Sequence, residues 1–207
     1  MNSGYTEVLN SIGSSDPTPG GGSVAALSLA HAHSLALMVA RLTVGKEKWI
    51  DGHEVAEQVI SDSIDGVENA IFLARLDAEA FDSVMSAYRM PKVTTNEKKA
   101  RSSAIREATI AAARAPLDTA FSAYSLLSSL ESLCVSCNSN ALTDLASAAE
   151  LCLTSVKIAA MNVKINLDFV EGDDVDNISS QLNQVILDSK KLGESITLKV
   201  NERLNWK

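Results

Sequence analysis

A run of three glycines stands directly before the most apolar stretch of the chain. Gly20, Gly21 and Gly22 are followed by 22 residues, Ser23–Val44, in which Arg41 is the one charged side chain. A stretch of this length and polarity forms a helix that is either buried or membrane-spanning. It also contains two histidines and three serines, which are costly in lipid. We interpret it as a buried core helix and predict no membrane association.

The composition is typical of closely packed helices. Hydrophobic residues make up 46% of the 207 residues and aromatic residues only 4%, so the apolar content is mainly Ala, Leu, Val and Ile. No segment shows the alternation that is typical of strands, and no linker separates domains. We predict a single all-α domain over residues 1–207, a bundle of long, roughly antiparallel helices.

Turn and capping signals divide the chain into helices. Thr94 and Glu97 form a capping-box pattern after the break at Pro91, and Ser23 is the expected cap of the apolar helix. Pro116 either kinks a helix or begins a new one in its first turn. The predicted helices are Tyr5–Ile12, Ser23 to about Gly45, about Asp51–Arg89, Thr94 to about Ala115, continuing or restarting to Cys134, Ala141–Phe169, and about Val175–Leu204.

The helix near Asp51–Arg89 has the clearest periodicity. Its apolar residues recur at alternating steps of four and three, as in a heptad strip. Asp77 lies at the edge of this strip, where partial desolvation would raise its pKa and suit general acid–base catalysis. The alternative is an exposed aspartate paired with a lysine. The strip consists of Ile60, Ile64, Val67, Ile71, Ala74, Ala78, Phe81, Met85 and Tyr88.

Other polar residues have both a structural and a functional interpretation. The glycine run before a helix suits either an anion or carbonyl site at free N–H groups or a tight helix crossing. Asp144 either stabilises the first turn of its helix or belongs to a site. Asn162 and Asn166 come late on the same helix, whose apolar strip leads toward Asn166, so their amides need partners on another helix or on a polar ligand.

The charge distribution excludes some functions. A formal net charge of −8 disfavours nucleic-acid binding. Residues 51–90 carry nine acids and two arginines, whereas residues 91–114 carry six bases and two acids. The simplest explanation is that the two adjacent helices pair their outer faces.

Cysteine and histidine placement argues against a metal site. Cys134 and Cys137 form one CxxC pair, but zinc needs a second pair and the chain has only Cys152 besides. His31 and His33 point in nearly opposite directions on a helix, so packing or an interface is expected for both. An odd number of cysteines and no signal-peptide pattern in residues 1–10 favour reduced thiols and a cytoplasmic location.

Five segments, in this order along the chain, resemble the cyclodeaminase/cyclohydrolase family. They are "PTPGGGSVAAL", "MVARLTVGKEKW", "DAEAFDSVMSAYRMPKVTTNEKKAR", "NSNALTDLASAA" and "AAMNVKINL". That family comprises the cyclodeaminase domain of formiminotransferase-cyclodeaminase and stand-alone methenyltetrahydrofolate cyclohydrolases. The resemblance covers nearly the full length, and the set of motifs is specific although each motif alone is weak.

The resemblance implies a helical homodimer that binds tetrahydrofolate derivatives near the subunit contact, with no further cofactor. It implies that Asp77 is the catalytic acid or base and that Asp144 places water or a substrate nitrogen. We expect Lys46, Lys48 and Lys92 to meet the anionic glutamate tail of the folate. The remaining implied substrate contacts are Gly20, Gly21, Gly22, Ser23, Asn140, Asn162 and Asn166.

Two enzymatic reactions and one binding role fit this resemblance. The first reaction is hydrolysis of 5,10-methenyltetrahydrofolate to formyltetrahydrofolate, which the lack of a fused formiminotransferase segment favours. The second is the cyclodeaminase reaction, which releases ammonia from formiminotetrahydrofolate. The third possibility is a folate-binding protein with impaired catalysis, because similar sequences have small residues at His31 and His33, and because Arg75 could lower the pKa of Asp77.

Overall fold

The structure, a computed structural model, describes residues 3–168 and 170–206, which form helices and loops without any strand. This confirms the predicted all-α class. Two short 3₁₀ helices, Glu47–Gly52 and Ser139–Ala141, precede the third and fifth α-helices. The α-helices are α1 Ser3–Ile12, α2 Gly21–Val44, α3 His53–Tyr88, α4 Thr95–Ser136, α5 Leu142–Leu167 and α6 Asp173–Leu204.

Four of the helices form the central bundle. Around its ring, α2 packs on α3, α3 on α4, α4 on α5, and α5 on α2, while α6 covers α4 and α5. Ser23 at the start of α2 bonds the Ala74 carbonyl late in α3, whereas Asn138, just before α5, bonds the Leu42 carbonyl late in α2. Both α3 and α5 are therefore antiparallel to α2, as predicted. The short helix α1 lies at the edge and has no buried residue.

The apolar helix α2 is the core helix of this bundle. By length and composition it is the one described helix that could cross a membrane, but 56% of its most apolar window is buried among the other helices. It begins at Gly21 with Gly20 as its N-cap, so the prediction that Ser23 caps it is wrong. We call the Gly21 side of the bundle the glycine end and the Val44 side the far end. They are about 35 Å apart at 1.5 Å per residue.

Four of the nine residues of the apolar strip predicted on α3 are exposed in the single chain, and the other five are half-buried. Ile64, Ile71 and Tyr88 are 47%, 48% and 51% exposed. The side of α3 that faces the bundle instead carries mostly small residues, namely Ala56, Val59, Ser63, Ala70 and Leu73. Small side chains let α2 and α3 approach closely. The periodicity correctly indicates an apolar helix face, but the described residues cover it only in part, with α1 lying beside Val67 and Ile71.

The fourth helix continues through its proline. Pro116 lies inside α4, so the alternative of a new helix beginning there is wrong. A proline lacks the N–H that would bond the carbonyl four residues earlier, here that of Ala112. Asn166 of α5 donates its Nδ2 to this carbonyl at 3.1 Å. An interhelical bond thus replaces the one that Pro116 cannot make.

The other helix boundaries differ from the predictions by no more than two residues. The capping box of Thr94 and Glu97 is present, and α6 begins at Asp173 rather than Val175. The fifth helix ends at Leu167, and the predicted end at Phe169 lies outside the described residues. The predicted strip on α5 is fully buried, which confirms it: Leu145, Ala149, Cys152, Val156, Ala159 and Val163.

Candidate active site

A polar cavity of about 340 Å³ opens at the glycine end of the bundle. It lies where the start of α2, the later part of α3, the middle of α4 and the end of α5 meet. A larger groove of about 560 Å³ lies between α5 and α6 and contains neither Asp77 nor any residue of the Gly20–Gly22 run. The polar cavity is lined by Pro17, Thr18, Gly20, Gly21, Gly22, Asp77, Phe81, Val84, Ala112, Asn162, Ile165 and Asn166.

The carboxyl group of Asp77 rests against the first turn of α2. A Cβ atom on Gly22 would lie 2.1 Å from Oδ1 of Asp77, so a side chain at this position would displace the carboxyl group. The Ser23 hydroxyl lies 3.0 Å from Oδ2 of Asp77 and 3.0 Å from the Ala74 carbonyl, and donates to them. The backbone of Ser23 also hydrogen-bonds the carboxyl group. Asp77 is therefore held in place rather than free, and the alternative of an exposed, lysine-paired aspartate is wrong.

The environment of Asp77 raises its pKa above the ordinary value for aspartate. Burial is the larger cause, because desolvation disfavours the charged form. The hydrogen bonds from the side chain and backbone of Ser23 act in the opposite direction, because they stabilise the carboxylate. Arg75 is exposed and is not among the groups that shift this pKa, so the expectation that it could lower the pKa finds no support. A raised pKa makes the Asp77 carboxylate a better proton acceptor, and the protonated carboxyl group can return the proton.

Two amides and the helix start complete the polar side of the cavity. Asn166 donates Nδ2 to the Ala112 carbonyl of α4, which is the expected partner on another helix, whereas Asn162 donates Nδ2 to the Ile158 carbonyl of its own helix, which was not anticipated. Within the described residues no group donates to the side-chain oxygen of either asparagine. The backbone N–H groups of Gly21 and Gly22 likewise have no acceptor among the described residues. The cavity therefore offers both donors and acceptors to a polar ligand.

The rest of the cavity wall is apolar. Phe81 and Val84 from α3 face Ile165 from α5 across the opening, and Pro17 lies in the loop before α2. Such a wall suits a flat ring system whose edge groups reach the polar side. The periodicity of α3 had indicated Phe81 as apolar but not as a site residue. The positioning role of Ser23 had no signal in the sequence beyond its place after the glycines.

Five of the expected site residues lie elsewhere in the chain, one of them Lys92 in the loop between α3 and α4. Lys46 and Lys48 follow the end of α2 at the far end, and the Lys48 ammonium stacks over Trp49 at 4.7 Å. Asn140 is exposed in the turn before α5. Asp144 occupies the first turn of α5, about 27 Å from Asn162 along the helix. Within one chain they do not meet the cavity that Asp77 lines.

The histidines and cysteines are not part of the cavity. His33 is 7% exposed, bonds Ser63 through Nδ1 and occupies space that the lack of a side chain at Gly66 leaves free. His31 is exposed and contacts Tyr5 edge-on. All three cysteines are buried and unpaired. Within residues 3–168 and 170–206, no group of three or more His, Cys, Asp or Glu side chains could hold a metal ion.

The fold and the cavity define a class of protein. It is an all-α bundle in which the start of a glycine-led helix holds a desolvated carboxyl group beside a cavity with polar groups on one side and an apolar wall on the other. The family model of formiminotransferase-cyclodeaminase matches residues 4–184. The chain belongs to this family.

Individual relatives agree with this assignment. A methenyltetrahydrofolate cyclohydrolase from Methylorubrum extorquens is 36% identical over 159 residues, which is 76% of each chain. The formimidoyltransferase-cyclodeaminase of Gallus gallus is 28% identical over 94% of this chain, which spans 36% of that longer protein. The crystal structure of formiminotetrahydrofolate cyclodeaminase from Thermotoga maritima superposes with a TM-score of 0.80 at 27% identity, covering 97% of this chain and 94% of the other.

Proposed function

We propose that the protein is an enzyme of folate one-carbon metabolism that hydrolyses 5,10-methenyltetrahydrofolate to formyltetrahydrofolate. The observation that carries the proposal is the desolvated Asp77 carboxyl group at the start of α2, in a cavity with an apolar wall and free amide oxygens. The 36% identity to a cyclohydrolase over three quarters of each chain supports this reaction. No cofactor is needed, since the folate itself is the substrate.

The chemistry requires one group that moves protons in both directions. The methenyl carbon lies between two ring nitrogens in a cation, and the Asp77 carboxylate stabilises this charge. Asp77 takes a proton from water as the water oxygen bonds to the methenyl carbon. It then gives that proton to one ring nitrogen as the bond from carbon to this nitrogen breaks. The hydroxyl proton leaves to solvent as the formyl carbonyl forms, so the reaction releases one proton overall.

The polar groups around Asp77 would orient the substrate. The free N–H groups of Gly21 and Gly22 suit a ring carbonyl, and the side-chain oxygens of Asn162 and Asn166 suit ring N–H or amino groups. Ser23 would hold the carboxyl group in the orientation that faces the cavity. The apolar wall would pack on the ring faces and exclude bulk water.

The cyclodeaminase reaction is the second candidate, favoured by the structural similarity to the Thermotoga maritima enzyme. In this reaction one folate nitrogen attacks the formimino carbon, and ammonia leaves after it gains a proton. The same carboxyl group would supply that proton. A binding protein with impaired catalysis has less support. His33 is accommodated beside Gly66, and Arg75 is not among the groups that change the pKa of Asp77.

We also propose a homodimer in a reducing cytoplasm, for which the three buried, unpaired cysteines are suited. The exposed strip on α3 and the apolar residues of α1 are the natural contact surface. If the two copies of α3 pack antiparallel, the far end of one chain approaches the glycine end of the other. The far-end residues Lys46, Lys48, Asn140 and Asp144 would then reach the substrate through the partner subunit.

Spectroscopy separates the candidate functions. If the protein is a cyclohydrolase, the purified protein should accelerate the loss of methenyltetrahydrofolate absorbance above the buffer rate. If it is a cyclodeaminase, formiminotetrahydrofolate should be converted with an increase in methenyltetrahydrofolate absorbance and release of ammonia. Binding of both folates without either turnover would contradict the enzymatic proposal and support a binding protein.

A further inference from the structure

The proline inside α4 has a connection to the cavity. Pro116 is buried and has no backbone N–H, so the helix cannot supply the usual donor to the carbonyl of Ala112, four residues earlier. Asn166 of α5 donates Nδ2 to that carbonyl at 3.1 Å. Ala112 and Asn166 both line the cavity, whereas Pro116 does not. Pro116 can therefore influence a bound ligand through the Asn166 amide.

The bond to the Ala112 carbonyl fixes which way round the Asn166 amide lies. A side-chain amide has a donor end, its NH2 group, and an acceptor end, its oxygen. A reversed amide would set Oδ1 against the Ala112 oxygen and take a donor away from that carbonyl, which is costly inside a protein. Among the described residues, Ser189 has the one buried side-chain oxygen or nitrogen without a hydrogen bond. The unpaired Oδ1 of Asn166 is therefore accessible, and it is the end left for a ligand.

The second amide of the cavity, that of Asn162, has a weaker constraint. Its Nδ2 donates to the Ile158 carbonyl, four residues earlier in α5, at 2.9 Å. In a regular helix this carbonyl also accepts the backbone N–H of Asn162 itself, and it keeps that donor when the side chain turns. Asn162 can thus offer a ligand either end of its amide, whereas Asn166 offers an acceptor.

We propose that Pro116 is a positioning residue that makes the Asn166 side of the cavity selective for hydrogen-bond donors. The proposal rests on the folate reaction proposed above and concerns how its substrate is held. A pterin carries an amino group and a ring N–H on one edge, which match a fixed acceptor. A carbonyl oxygen in the same place would leave two acceptors facing each other, and this lowers affinity. A ring held in one orientation presents the same atoms to Asp77 in every binding event.

The first part of the test separates the orientation of the amide from the packing of α4. Pro116→Ala restores a backbone N–H for the Ala112 carbonyl and so releases the Asn166 amide. Alanine is the better helix former, so this variant should fold, as circular dichroism would show. Thr119→Ala is the matched control, because it removes a buried hydroxyl that bonds within α4 on the next turn. The measured quantities are KM and kcat for methenyltetrahydrofolate.

The second part of the test is a rescue. In the Pro116→Ala background, Asn166→Asp supplies two equivalent acceptor oxygens, so that a reversed side chain offers the ligand the same group. Asn162→Asp in the same background adds the same charge to the cavity one turn away. It therefore controls for simple attraction between a carboxylate and the cationic substrate.

We expect Pro116→Ala to raise KM about three- to tenfold and to change kcat less than about twofold, because Asp77 is untouched. Thr119→Ala should keep the parent KM. Adding Asn166→Asp to Pro116→Ala should bring KM back toward the parent value, and adding Asn162→Asp should not.

Three results would overturn the positioning role while leaving the folate reaction intact. They are an unchanged KM in Pro116→Ala, an equal rise in Thr119→Ala, and a rise in Pro116→Ala that Asn166→Asp reverses no better than Asn162→Asp does. If the parent neither converts nor binds methenyltetrahydrofolate, the proposed function fails and this inference fails with it.

Discussion

At the scale of single residues, two opposing effects set the chemistry of Asp77. Burial raises its pKa, and the hydrogen bonds of Ser23 lower it. The periodicity of α3 placed Asp77 at the edge of an apolar strip but left a partly desolvated and an exposed aspartate as alternatives, because the burial comes from the start of α2 and not from the strip. It could not predict Ser23 as its partner, because a serine after glycines suits a helix cap equally well, and the choice depends on a residue 54 positions away.

Removing the Ser23 hydroxyl should shift the pH profile of the enzyme. Ser23→Ala takes away a bond that stabilises the carboxylate, so the pKa of Asp77 should rise further. Asp77 would then become protonated at a higher pH, and the acidic limb of the kcat/KM profile should move to higher pH. Ser28→Ala, which removes a hydroxyl bonded within α2 at Val24, is the control and should keep the parent profile. A profile for Ser23→Ala that coincides with the parent would contradict this role.

His33 should make the fold sensitive to acid. Burial lowers its pKa from 6.5 to about 4, so the unfolded chain binds a proton that the folded protein does not. As the pH falls from 6.5 toward 4, proton uptake by His33 in the unfolded chain lowers the free energy of unfolding, by about 3 kcal/mol in total. Urea unfolding across this range should show a shallower pH dependence in His33→Gln than in the parent. His31→Gln, at an exposed histidine, should follow the parent. Identical slopes for the parent and His33→Gln would rule out this linkage.

At the scale of helices, the sequence predicted which segments are helical, and their order, better than it predicted which elements pack on each helix face. All six predicted segments are helical, and the buried strip of α5 was correctly identified. The sequence did not decide whether one helix continues through Pro116. A proline in the first turn of a new helix and a proline inside a helix, whose missing hydrogen bond is replaced by a side chain, look alike in sequence. The rescue comes from Asn166, whose amide reaches the Ala112 carbonyl across the bundle.

A double-mutant cycle should reveal this rescue. Asn166→Ala leaves the Ala112 carbonyl without a donor and should lower the free energy of unfolding by about 1–3 kcal/mol. Pro116→Ala restores a backbone N–H for the same carbonyl. In the Pro116→Ala background, Asn166→Ala should therefore cost less, with a coupling energy of about 1 kcal/mol. Equal costs in both backgrounds would show that Asn166 does not replace the missing bond.

At the scale of the whole molecule, the exposed strip on α3 is the clearest sign of a second subunit. The strip was visible in the sequence, but periodicity cannot tell whether an apolar face is covered by the same chain or by a partner. Small residues took the inner face because α2 and α3 pack closely, and this left the large side chains outside. For the same reason, the sequence could not show how near the far-end residues Lys46 and Asp144 come to an Asp77 side chain, because that distance depends on how two subunits pack together.

Charges on the α3 strip should dissociate the proposed dimer. Ile64→Glu with Ile71→Glu places two carboxylates in the proposed contact, which is costly when they are desolvated. Light scattering at micromolar concentration should give a dimer for the parent and a monomer for the double variant. Leu198→Glu, at an exposed position on α6, should remain dimeric. A monomeric parent, or a double variant that stays dimeric, would contradict this interface.

The most direct test of the account is the turnover of Asp77→Asn. The amide keeps the size and shape of the carboxyl group but cannot exchange a proton, so the fold should persist, as circular dichroism would show. We predict that kcat for methenyltetrahydrofolate hydrolysis falls about 10²–10⁴-fold, with a smaller change in KM. A folded Asp77→Asn protein that keeps the parent kcat would contradict the assignment of Asp77 as the acid–base group.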